Sequence, residues 1–170
     1  FAATVSLATL NGTTGFVLNG ETAGDKLGDF VHAAGDVNGD GIDDLIVGAG
    51  YGDPNSLTDA GESYVVFGTT AGFSATIELA ALNGSNGFKI NGLEAGKHAG
   101  ISVSNAGDVN GDGYDDVLIG TYRGEGSYSG GNEAYVLFGG PSVGASGSVN
   151  LSTLAGTDGF IVGDFSSGTR

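Results

Sequence analysis

The sequence predicts an all-β protein. Its elements read as β-propeller blades of four antiparallel strands, with two full blades and part of a third. Three observations carry this reading: an extreme glycine content, an internal repeat, and four short β-branched segments in each repeat. Glycine fills 35 of 170 positions while proline fills only 2. Without a G-X-Y period this excludes collagen, and it argues against long helices. Leu, Ile, Val and Phe together still make up about a quarter of the chain, enough to build a core. Glycine therefore punctuates short apolar strands.

The repeat is visible by self-comparison. Residues 10–20 read LNGTTGFVLNG, 82–92 read LNGSNGFKING and 154–164 read LAGTDGFIVGD. GDVNGDGIDDLIVG at 35–48 returns as GDVNGDGYDDVLIG at 107–120, an offset of 72 residues. The offset slips by one between YVVFG at 64–68 and YVLFG at 135–139. The repeat units are then 1–72, 73–144 and a partial third, 145–170, within one propeller segment. No low-complexity linker separates them, so each unit packs against the next.

The expected strands are 30–35, 44–49 and 63–68 in the first unit and 102–107, 116–121 and 134–139 in the second. A fourth type is GFVLNG at 15–20, GFKING at 87–92 and GFIVGD at 159–164. Asn-Gly, Gly-Asp and Gly-Gly pairs bound these segments, and β-branched and aromatic residues fill them. No stretch holds a helical apolar period for three turns. Four short strands repeated radially read as a propeller. The alternative is a β-sandwich with an accidental duplication.

Acids outnumber bases 20 to 5, for a net charge of −15. Such a field disfavours nucleic acid and anionic membranes and favours cations. The absence of cysteine removes disulfides, zinc–thiolate sites and thiol nucleophiles. No apolar run is long enough to span a bilayer, so no membrane insertion is expected. A chain that opens at Phe1 is expected to be a processed product or an excised segment.

Eight of the fourteen aspartates fall in two nine-residue stretches, 36–44 and 108–116. Oxygen-bearing side chains occupy loop positions 1, 3, 5 and 9. These are Asp36, Asn38, Asp40 and Asp44 in the first loop, and Asp108, Asn110, Asp112 and Asp116 in the second. Gly41 and Gly113 supply a sharp turn at position 6, and the position 7 carbonyls of Ile42 and Tyr114 would face inward. Hard oxygens at this spacing suit Ca²⁺, giving two expected sites. The alternative is a pair of Asx-turn loops without metal. Asp43 and Asp115, at position 8, are expected to point outward. Neither loop is an EF-hand, because position 12 is Val47 or Ile119 inside an apolar run rather than a closing Glu.

A strand ending in Gly, then D-x-N-x-D-G-x-x-D, then an apolar strand and a small-residue turn resembles the FG-GAP repeat. That repeat builds the β-propeller of integrin α-subunits and of many bacterial secreted proteins. The family's Phe-Gly is Leu27-Gly28 and Ala99-Gly100 here, and its Gly-Ala-Pro is Gly48-Ala49-Gly50 and Gly120-Thr121-Tyr122. The resemblance implies structural calcium, closure into a ring of about seven blades, and partner binding through loops on one face. It implies an extracellular, non-enzymatic protein, secreted or at the cell surface. Its partners would be a protein or glycan ligand, and either the remaining blades or other copies of the chain. The other functional expectations are a non-catalytic propeller module of an extracellular hydrolase and a self-assembling propeller or filament subunit.

His32 and His98 stand at different repeat positions, which favours separate packing roles over a shared site. No G-x-S-x-G elbow occurs, and the paired carboxylates sit at ligand spacing rather than as an isolated acid pair. Asn11, Asn83 and Asn150 begin N-x-S/T sequons, and the first two read equally well as Asn-Gly turns. The stretches 51–62 and 122–133 differ between units, as recognition loops or idle surface loops would. Tyr122, Arg123 and Tyr128 are the contact candidates there.

Overall fold

The structure, a computed structural model, describes residues 6–122 and 132–163. These residues hold eleven strands and four single 3₁₀ turns, with no α-helix among them. The strands are β1 (Val17–Asn19), β2 (Phe30–Gly35), β3 (Asp44–Ala49), β4 (Glu62–Val66), β5 (Thr76–Glu78) and β6 (Gly87–Asn91). The others are β7 (Ser102–Gly107), β8 (Asp116–Gly120), β9 (Glu133–Leu137), β10 (Ser148–Asn150) and β11 (Gly159–Gly163).

Two antiparallel sheets dominate. The first runs β6-β4-β3-β2 and the second β11-β9-β8-β7. Each sheet takes three strands from one sequence unit and its fourth strand from the start of the next. Two short strands escaped the sequence reading. β5 lies parallel to β1, and β10 lies parallel to β6 at the edge of the first sheet. They are three residues each, TIE and SVN, too short for a period-two pattern to register.

The alternation of the sheet sorts side chains between two apolar clusters. On β3 and β4, Ile46 and Val65 face a core shared with Val103, Val117, Ile119 and Tyr135 of the second sheet. Leu45, Ala49, Tyr64 and Val66 face the opposite way, packing with Leu18 and Ile77 of the β1–β5 pair. β3 is thus covered on both faces, which is why it reads DLIVGA without polar alternation. Gly48 is required by the close approach of the sheets, because a Cβ there would collide with the Gly100 carbonyl.

The segment expected as a variable loop, 51–62, is a wall of the contact between the sheets. Thr58, Asp59, Ala60 and Gly61 offer carbonyls to the amides of Gly96, His98, Ala99 and Gly92 at 2.8–3.0 Å. Arg123 and Tyr128 lie outside the described residues. Tyr122 is 43% exposed, with its amide on the Lys97 carbonyl.

Candidate metal centre

Both aspartate loops begin at a β-bulge. The β2–β3 register shifts between Ala33 and Gly35, and the β7–β8 register between Asn105 and Gly107. Gly35 (φ 76°) and Gly107 (φ 70°) take left-handed conformations that turn each strand into its loop. The bulge aims the following residues away from the ladder.

Inside the first loop, the side chains satisfy the turn's own amides. Asp36 Oδ1 accepts from the N–H groups of Gly39 (2.8 Å) and Asp40 (2.9 Å), and Oδ2 accepts from Gly41 (2.9 Å). Asn38 Oδ1 accepts from Asp40 N–H at 2.9 Å, and Asp40 Oδ1 from Ile42 N–H at 2.9 Å. The second loop repeats the set. Asp108 receives Gly111, Asp112 and Gly113, Asn110 receives Asp112, and Asp112 receives Tyr114. The sequence-predicted residues are therefore brought together within each loop.

Position 9 roots each loop in its sheet. Asp44 Oδ2 accepts from Val37 N–H at 3.0 Å, and Oδ1 from Gly68 N–H at 2.8 Å. Asp116 does the same with Val109 and Gly139, both at 2.9 Å. Each aspartate ties the loop, a central strand and the segment after the third strand into one knot. Burial pushes the Asp44 carboxyl up to about 6, against the lowering effect of the Gly68 and Val37 amides. Asp40 and Asp36 add a smaller upward push.

As they stand, the carboxylates turn toward amides rather than toward a common point. Among the described residues, no group of three or more His, Asp or Glu side chains is arranged to hold a metal. The donor chemistry nonetheless fits a hard cation. Every expected donor is an oxygen, and a carboxylate oxygen that accepts one N–H keeps a second lone pair.

The outward orientation expected of Asp115 is not what the structure shows. Asp115 Oδ2 accepts from the Asp36 N–H at 2.9 Å, and the Asp115 N–H donates to the Asp36 carbonyl at 3.1 Å. The reason is the stacking of the two loops, which one repeat read in isolation does not reveal. The signal available in the sequence was the first aspartate of each Asp-Asp pair, present in both copies. Asp43, its equivalent, is exposed as expected. The amides of Gly68 and Gly139, which cap position 9, were also missed. Both follow the YVVF or YVLF strand, so the repeat marked them.

The remaining candidates separate from the loops. His32 is exposed, with Nδ1 on the Ala33 carbonyl. His98 Nδ1 meets the Gly50 carbonyl, and its ring lies against Tyr51, centroids 4.6 Å apart. Asn11 and Asn83 close their own turns, accepting from Thr13 and Ser85 amides. Asn150 Oδ1 accepts from the Asn91 side chain at 3.0 Å. At the strand ends away from the loops, the Tyr64 hydroxyl donates to Glu62 at 2.6 Å, and Lys89 pairs with Glu62 and Glu21.

Loop, bulge and four-stranded sheet recur together, and known families can be compared with that geometry. The FG-GAP repeat family matches residues 32–66 and 99–137. These two segments are FG-GAP repeats. They mark the two antiparallel sheets as propeller blades. The chain is also similar to integrin alpha-4 of Xenopus laevis, 34% identical over 102 residues, covering 58% of this chain and 9% of that protein. Integrin alpha-PS2 of Drosophila melanogaster is 33% identical over 111 residues, 62% of this chain and 7% of its own. Integrin alpha pat-2 of Caenorhabditis elegans is 35% identical over 102 residues, 58% of this chain and 7% of its own. The chain thus spans less than a tenth of the length of each relative. Among the described residues, no helix is long and apolar enough to cross a membrane.

Proposed function

We propose that this chain is a calcium-stapled segment of an extracellular FG-GAP propeller, non-enzymatic, serving adhesion or protein interaction. The observation that carries the proposal is the duplicated loop, in which five oxygen donors lie on nine residues and position 9 is rooted in the sheet. In the first loop the donors would be Asp36, Asn38, Asp40, the Ile42 carbonyl and Asp44. In the second they would be Asp108, Asn110, Asp112, the Tyr114 carbonyl and Asp116. The ion would neutralise carboxylates that otherwise repel one another and would offset the cost of burying Asp44. Similarity to integrin α-subunits supports a surface or secreted setting and a protein or glycan partner.

The test is thermal unfolding of the whole chain in EDTA and in millimolar calcium. Binding to the folded form alone raises the melting temperature with calcium concentration. Stability indifferent to chelation would overturn the proposal.

A specific observation adds a structural partner. Val31 (58% exposed) on the first sheet, and Ile161 (53%) and Val162 (56%) on the second, leave apolar surface uncovered. Further blades, or other copies of the chain, would cover it. Light scattering tests the second option: a strictly monomeric chain at all concentrations rules out copies.

A further inference from the structure

We propose that Asp115 couples the two loops, so that calcium bound in one raises the affinity of the other. The inference rests on the calcium reading above and adds a positioning residue to it. Asp115 holds both polar backbone groups of Asp36, its carboxylate taking the N–H and its own N–H meeting the carbonyl. Asp36 is the first donor of loop 1. Asp115 itself sits between two donors of loop 2, the Tyr114 carbonyl and the buried Asp116 carboxylate. Any ion that fixes Tyr114 and Asp116 therefore fixes the residue that orients Asp36.

Neighbouring contacts reinforce the link. The Tyr114 ring lies where any side chain on Gly39 would have to go. The Gly140 N–H donates to the Val37 carbonyl at 2.8 Å, one residue after Gly139 caps Asp116. Loop 2 and the segment after β9 thus contact Asp36, Val37 and Gly39 of loop 1. Binding free energy spent ordering one loop is then already spent for the other, and the coupling is reciprocal by linkage.

The experiment is calorimetric calcium binding to the full chain in a double-mutant cycle. Asp112→Asn cripples loop 2, and Asp115→Ala removes the side-chain half of the link. In the otherwise native chain, Asp112→Asn is expected to weaken loop 1 about fivefold to tenfold. In the Asp115→Ala background, where the backbone half of the link remains, the same change should weaken loop 1 by about twofold or less. Asp115→Asn keeps an acceptor for the Asp36 N–H while removing the charge. It should preserve the coupling at a lower overall affinity, and it also serves if the alanine variant fails to fold. A loop 1 affinity indifferent to Asp112→Asn would overturn the coupling and leave the calcium reading standing. An equal loss in all backgrounds would overturn the part assigned to the Asp115 side chain, with the calcium reading left standing. No calcium uptake by the native chain would overturn both.

Discussion

Residues 35–41 and 107–113 are the same seven amino acids, GDVNGDG, with matching internal hydrogen bonds, yet they sit in different surroundings. Val37 is fully buried and Val109 is 50% exposed. A Cβ on Gly35 or Gly39 would meet Asp115 or Tyr114, whereas nothing lies within 4 Å of one on Gly107 or Gly111. The first loop is roofed by the second, and the second has no roof among the described residues. Local conformation follows from sequence alone, but burial follows from what the repeat is stacked against.

The largest test of this contrast is a charge placed at the valine. Val37→Asp should cost about 3 kcal/mol or more in denaturant unfolding, because an unpaired carboxylate enters a dry core. Val109→Asp should stay within about 0.5 kcal/mol. Equal costs at the two positions would break the comparison.

Glycine replacement sharpens it at intermediate size. Gly39 and Gly111 share a φ of 78°, so alanine strains both backbones alike. Only at Gly39 does the new methyl also collide with the Tyr114 ring. Gly39→Ala should therefore be more destabilising than Gly111→Ala by about 1–3 kcal/mol. Paired urea curves decide this, and matched midpoints would mean that Tyr114 moves aside freely.

The smallest effect lies where the units differ in charge. Asp25 and Lys97 hold the same repeat position, and both are buried, at 8% and 5% exposure. Burial first, then Asp53 and Glu21, raise the Asp25 carboxyl above its ordinary 3.8. The folded form therefore binds that proton more tightly than the unfolded chain does. Its stabilising contribution is complete below 3.8 and is lost as pH rises through the raised value. Asp25→Asn should flatten this part of the stability–pH profile and raise the melting temperature slightly at neutral pH, where the folded form otherwise holds the ionised carboxylate at a cost. Superimposable profiles for the two proteins would remove Asp25 as a contributor.

Much of the fold was legible because its signals are local. The β-branched runs in DLIVGA and SYVVFG, the Asn-Gly turns and the left-handed glycines each announce themselves within a few residues. The oxygen-bearing side chains of the loops were legible for the same reason, since a nine-residue turn fixes which side chains meet. Asp115 was not legible, because its partner Asp36 is 79 residues away in the chain. The strands β5 and β10 were missed because parallel pairing with β1 and β6 stabilises three-residue segments that have no pattern of their own.

By itself the sequence determined the all-β class, the repeat, most of the strand positions and the two aspartate loops, because periodicity and turn chemistry act over short distances. Only the tertiary structure decided that each sheet borrows its fourth strand from the next unit. It alone decided that 51–62 is interface, and that of two matching valines Val37 is buried against the second loop while Val109 is half exposed. Those outcomes depend on which surfaces meet, and two identical heptapeptides carry no information about their neighbours.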